Sequence, residues 1–110
     1  MFDRSQALIV FSTAPDSESA DSLARVLVEE QLAACVHVMP VGHSYYVWEG
    51  KMNRDQELGL IIKTHADQYK ALQARLLVLH PYDVPEILAI PVSHGLPAYL
   101  NWLFESVKSS

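Results

Sequence analysis

The 110 residues hold 8 Lys and Arg against 13 Asp and Glu, a formal charge of −5, with 50% hydrophobic and only 19% charged side chains. That is one domain, spanning 1–110, with less charge than the roughly 25% of an average soluble domain, although a chain this small keeps much of its surface wet. The shortage predicts that another subunit covers part of the surface. Sparse, scattered basic residues exclude a nucleic-acid partner, and the lack of any apolar run near 20 residues excludes a membrane span.

The first residues, Met1 to Gln6, contain no basic stretch leading into a long apolar one and read as lacking a leader. Ala7 to Phe11 is a continuous apolar run, a strand buried on both faces. Pro15-Asp16-Ser17 opens a helix, with Asp or Ser as its cap. Ala20, Leu23, Ala24 and Leu27 form its apolar stripe, and it fades near Gln31.

Ala33 to Met39 is rich in strand formers, and Pro40 and Gly42 after it predict a bulge within a strand that resumes at Ser44 to Trp48. Glu49-Gly50-Lys51 is a hairpin turn. The return strand includes Glu57 to Lys63, with Leu58, Leu60 and Ile62 on one face and Glu57, Gly59, Ile61 and Lys63 on the other. Such a hairpin is long enough to project beyond a compact core.

Thr64 to Asp67 has the pattern of a capping box, and the helix after it carries Tyr69, Leu72, Leu76 and Leu79 before Pro81 ends it. Glu86 to Val92 is a last strand, placed at a sheet edge by Pro91. Pro97 begins a C-terminal helix anchored by Tyr99, Leu100, Trp102 and Leu103, and the last residues read as loose. The order βαββαβ with an extra C-terminal helix and a long β-hairpin defines an α+β, ferredoxin-like sandwich. Both faces of the first and last strands are apolar, and no element remains to cover the second face. A second copy of the chain is the expected cover.

Several strings, taken together and in order, resemble the CutA, or divalent-cation-tolerance, family. They are Thr13-Ala14-Pro15-Asp16, Leu32-Ala33-Ala34-Cys35-Val36, Ser44-Tyr45-Tyr46-Val47-Trp48-Glu49-Gly50-Lys51, Glu57, Lys63-Thr64, His80-Pro81-Tyr82-Asp83-Val84-Pro85-Glu86, Pro91-Val92-Ser93-His94-Gly95 and Tyr99-Leu100-Asn101-Trp102. The resemblance covers nearly the whole chain. It implies a homotrimer whose hairpins wrap neighbouring subunits, similar to PII signalling proteins, and a role in tolerance of copper and other divalent metals with copper(II) binding.

The resemblance places a metal ligand at His80. Two further presumed ligand positions hold Ser12 and Leu79 in this chain, so the ligand set is incomplete. The competing reading of His80 is a helix-end imidazole that meets the last free carbonyls. Cys35, His37 and Met39 alternate along one strand and share a face. Those are donor types that copper(I) accepts, set against plain packing of Cys35 and Met39.

Tyr46, Trp48, Glu57, Lys63 and Tyr82 are candidates for an intersubunit cleft in which Lys63 meets an anionic group; the alternative is an ion pair and aromatics at an interface. His43, His65 and His94 have no ligand-like spacing. No nucleophile stands beside a base and no glycine-rich phosphate loop exists, so the expectation is a protein that is not an enzyme. It requires no cofactor, takes copper or another divalent metal as an optional ligand, and resides in the cytoplasm, as a single cysteine fits. Two rival functions are a PII-like sensor of a small anionic effector and a structural trimer that anchors a protein partner.

Overall fold

The structure is a computed structural model that describes residues 6–108. The leader reading and the looseness of the chain end fall mainly on 1–5 and 109–110, outside the described residues. The elements are β1 (Ala7–Ala14), α1 (Ser17–Glu29), β2 (Cys35–Trp48), β3 (Lys51–His65), α2 (Tyr69–Leu79), β4 (Leu88–Pro91) and α3 (Pro97–Ser106). One four-stranded sheet runs in the order β2-β3-β1-β4, and every pairing is antiparallel. This is the expected α+β, ferredoxin-like arrangement.

Strand parity sorts the sheet into an inner and an outer face. Leu8 and Val10 of β1, with Leu58, Leu60 and Ile62 of β3, point inward against Leu23 and Leu27 of α1 and Leu72 and Leu76 of α2. Tyr69 and Leu79 extend the α2 stripe at the edge of that core. Asp16 caps α1, its carboxylate accepting the Ser19 N–H at 2.7 Å. Gln31 ends the helix in the left-handed region with φ 59°, while the Leu32 N–H donates to the Leu27 carbonyl and the Gln31 N–H to that of Val28. That is a Schellman end without glycine.

The hairpin is longer than its sequence signature. β2 and β3 stay in register to Trp48 opposite Lys51, and Glu49 and Gly50 turn with φ of 50° and 77°. Two successive positive φ values match the twist of a two-residue hairpin turn. The register shifts between Val38 and Val41, where Pro40 has no N–H to offer the ladder. The molecule extends 45 Å along its long axis. Its radius of gyration, 14.6 Å, exceeds the roughly 13 Å of a compact chain of this length, because the hairpin protrudes.

Four expectations need correction. Thr64 does not cap a helix: it lies in β3, fully buried, and its hydroxyl donates to the Leu32 carbonyl at 2.6 Å. The His65 imidazole caps the short 3-10 turn Ala66–Gln68 instead, accepting the Asp67 N–H. The last strand is Leu88–Pro91, shorter than Glu86 to Val92 at both ends, although β4 is an edge as Pro91 requires. The outer face is not wholly bare, because α3 packs over one end of it. Leu103 and Val107 join Ala7 and Ala34 in a second small core there. Trp102 and Tyr99, expected as anchors, are exposed instead.

Register places His37, Ile61, Phe11 and Leu88 in one outer row, and Cys35, Lys63, Ile9 and Ile90 in the row before it, where α3 reaches Lys63 and Ile9. Leu88 is 62% exposed and Ile90 49%. An apolar sheet face of that kind does not belong against water.

Candidate functional site

His80 is where the chain leaves α2. Pro81 disfavours a helical conformation in the residue before it, and His80 adopts φ −72°, ψ 139°. Its ring turns inward and is 7% exposed. Nε2 lies 2.6 Å from the carbonyl oxygen of Thr13 and Nδ1 accepts the Tyr82 N–H at 3.0 Å. This network assigns the neutral tautomer with its proton on Nε2. The ring therefore does not meet the last carbonyls of its own helix; it bridges β1 and the segment after α2, using both nitrogens.

That bridge aims Tyr82. Its ring lies 4.9 Å from the His80 ring, and its hydroxyl donates to Glu57 Oε2 at 2.8 Å. The same carboxylate oxygen accepts from Thr13 Oγ1 at 3.2 Å. Beside this group on β3, Asp55 accepts a hydrogen bond from the Tyr46 hydroxyl. Burial, then the bond to Glu57, pushes the Tyr82 phenol up to about 12. Tyr46 is also raised, by its bond to Asp55.

The folded value of Tyr82 lies above the unfolded value near 10. The fold thus favours the neutral phenol. The stability this contributes is present below about pH 10 and is lost as pH climbs toward 12. Alkaline titration followed by tyrosinate absorbance should show one of the five tyrosines ionising near pH 12, and Tyr82→Phe should delete that step. Loss of a step nearer pH 10 instead would contradict the assignment.

The cleft residues thus separate into three places. Glu57, Tyr82 and Tyr46 cluster at the root of the hairpin, Trp48 sits 66% exposed at its tip, and Lys63 lies elsewhere. Glu57 and Lys63 do share the outer face, but six residues of strand put them about 20 Å apart. Lys63 contacts Tyr99 of α3, its ammonium donating to the phenol oxygen at 3.3 Å and standing 5.5 Å from the ring centroid. Thr13 and Tyr99 were not among the sequence candidates. Both stand in the strings that carry the family resemblance, Thr13 without a role of its own and Tyr99 otherwise as a helix anchor.

Cys35, His37 and Met39 lie on the outer face of edge strand β2, with Met39 folded over Gly59, where an added methyl would meet its sulfur at 3.3 Å. Ser12 points into the core, 2% exposed, with no hydrogen-bond partner for its hydroxyl among the described residues. Leu79 packs against the same core. Among the described residues, no three His, Cys, Asp or Glu side chains converge as a cation would require. The donors of a single chain therefore do not fit a closed copper site. A cavity of about 390 Å³ between the start of α1 and the end of α2 holds none of the proposed ligands.

Topology and side-chain placement together define a ferredoxin-like α+β fold with a projecting hairpin and a largely apolar outer sheet face. The family model of the CutA1 divalent ion tolerance protein matches residues 8–106, and the chain belongs to that family. The divalent-cation tolerance protein CutA of Thermus thermophilus is 46% identical over 98 residues, covering 89% of this chain and 95% of its own. The crystal structure of CutA1 from Oryza sativa superposes with a TM-score of 0.93 at 41% identity, covering 96% of each chain. A periplasmic divalent cation tolerance protein CutA from Archaeoglobus fulgidus superposes at 0.89 with 34% identity, covering 93% of this chain and 99% of its own.

Proposed function

We propose that this chain serves divalent-cation tolerance as a homotrimer, and that it binds copper(II) or another divalent cation weakly, through donors that neighbouring subunits bring together. The observation that carries this reading is the outer sheet face, where Phe11, Ile61, Leu88 and Ile90 lie in adjoining rows beyond the cover of α3. Three copies are what the family resemblance implies. The donors that reach this face, His37 and Met39, stand on the open edge of the sheet and are exposed, whereas His80 spends both ring nitrogens within its own subunit. His80 then acts as a positioning residue for Tyr82. The protein works by binding, not catalysis.

The compartment in this reading is the cytoplasm, which fractionation distinguishes from the periplasm named for the Archaeoglobus relative. No helix among the described residues is long and apolar enough to cross a membrane.

Copper(II) calorimetry tests the metal assignment. Wild type should bind with a dissociation constant at or weaker than the micromolar range, about −8 kcal/mol, and His80→Ala should retain that binding. A variant that no longer assembles should lose it. Equal binding by an unassembled chain, or none by wild type, would overturn the proposal.

A further inference from the structure

α2 differs from an ordinary surface helix. Only Lys70, Gln73 and Arg75 of its 11 residues carry charged or amide side chains, and a helix apolar nearly all round normally lies buried. Leu72 and Leu76 serve the core. The opposite stripe, Ala71, Ala74, Leu77 and Val78, faces outward, with Leu77 51% and Val78 75% exposed. The helices cover the inner face of the sheet, so this stripe lies on the far side of the chain from the apolar outer face. Contacts made through the outer face leave it open.

Charge is divided between the two helices. α1 carries three acidic residues, Glu18, Asp21 and Glu29, against Arg25, whereas α2 has Lys70 and Arg75 and no acid. Arg75 is held by Glu30 of α1. Lys70 and Glu18 make no ion pair among the described residues. The helices run antiparallel, so Glu18 stands at the end where α2 finishes, lining the cavity of about 390 Å³ with Asp16, Ser19 and Ser22. α2 also lacks a basic residue in its last turn to meet the free carbonyls there.

Such a face is complementary to itself. We propose that α2 pairs with α2 of a second copy, antiparallel about a two-fold axis at Ala74. The small Ala74 side chains let the two helix axes approach to about 8 Å, the close end of the packing range. Four residues, about 6 Å of helix, separate Ala74 from Lys70 in one direction and from Val78 in the other. Each Leu77 and Val78 therefore lies over Ala71 of the second copy, large against small. Each Lys70 comes level with the end of the opposite α2, within reach of Glu18 and of the last carbonyls. A contact built on one helix of about 16 Å buries less than the roughly 1,200 Å² of a stable interface, so the pairing is weak and vanishes on dilution. It rests neither on the metal assignment nor on how many copies meet at the outer face.

Sedimentation equilibrium from the micromolar to the millimolar range reads the outcome. The average mass of wild type should rise from that of the dilute species toward twice that value. Leu77→Asp/Val78→Asp should hold the dilute mass throughout, with an unchanged circular dichroism spectrum. Lys70→Glu alone and Glu18→Lys alone should each weaken the association at least about tenfold, because like charges then meet at both ends of the contact. An equimolar mixture of those two variants should restore it, since opposite charges again meet at both ends. Three results would each overturn the proposal: a wild-type mass that does not rise, a rise that Leu77→Asp/Val78→Asp leaves intact, or a mixture that associates no better than its components. Flotation of wild type with anionic vesicles in place of self-association would give the face to a lipid surface and overturn it as well.

Discussion

The double variant Leu88→Asp/Ile90→Asp should run as a single folded chain of 12.3 kDa at concentrations where wild type remains assembled. Both side chains stand on the edge strand β4, register with Phe11 and Ile9, and are about half or more exposed within one chain. Their replacement thus removes little from the subunit's own core. In an assembly the same positions would bury two carboxylates against apolar neighbours, and a buried unpaired charge is not tolerated. Central interface side chains commonly cost about 2 kcal/mol or more when truncated, and every subunit would carry both changes. Sedimentation velocity reads the outcome, with circular dichroism showing that the subunit fold persists. An unchanged sedimentation coefficient would place the interface elsewhere.

The second large effect lies in the core. Leu76→Ala should lower unfolding free energy by about 3 kcal/mol, a large part of the 5–15 kcal/mol available to a typical domain. Leu76 is fully buried and sits on the α2 stripe facing the inner sheet face with Leu60 and Ile62. Its loss leaves a cavity between helix and sheet, where the antiparallel ladder resists collapse. Val78→Ala, two residues on and 75% exposed, should change the urea midpoint little. Equal effects at the two positions would contradict the facing of α2.

Patterns carried on one element were readable in the sequence. Alternation in Leu58, Leu60 and Ile62 gave the inner face of β3, Pro40 the bulge, and Pro91 the edge. Relations between distant elements were not. Thr64 has the right type for a helix cap, but the contact that decides its role is a carbonyl 32 positions away at Leu32. Neither sequence reading of His80, metal ligand or helix-end imidazole, names its partner Thr13, 67 positions back. Parity put Glu57 and Lys63 on one face, but six residues of strand separate them, and with Trp48 at the tip a single cleft became three separate places. Of the residues expected to anchor α3, Leu103 joins Val107 against Ala7 and Ala34, whereas the larger Tyr99 and Trp102 stay exposed. The scarcity of charge did find its place: it lies on the outer face and along the hairpin, in Tyr45, Val47, Trp48 and Met52.

The native mass of the wild-type protein in solution tests the central claim most directly. The account predicts a species of three times 12.3 kDa that persists on dilution. A stable species of one chain's mass, with the outer sheet face still open to solvent, would contradict it.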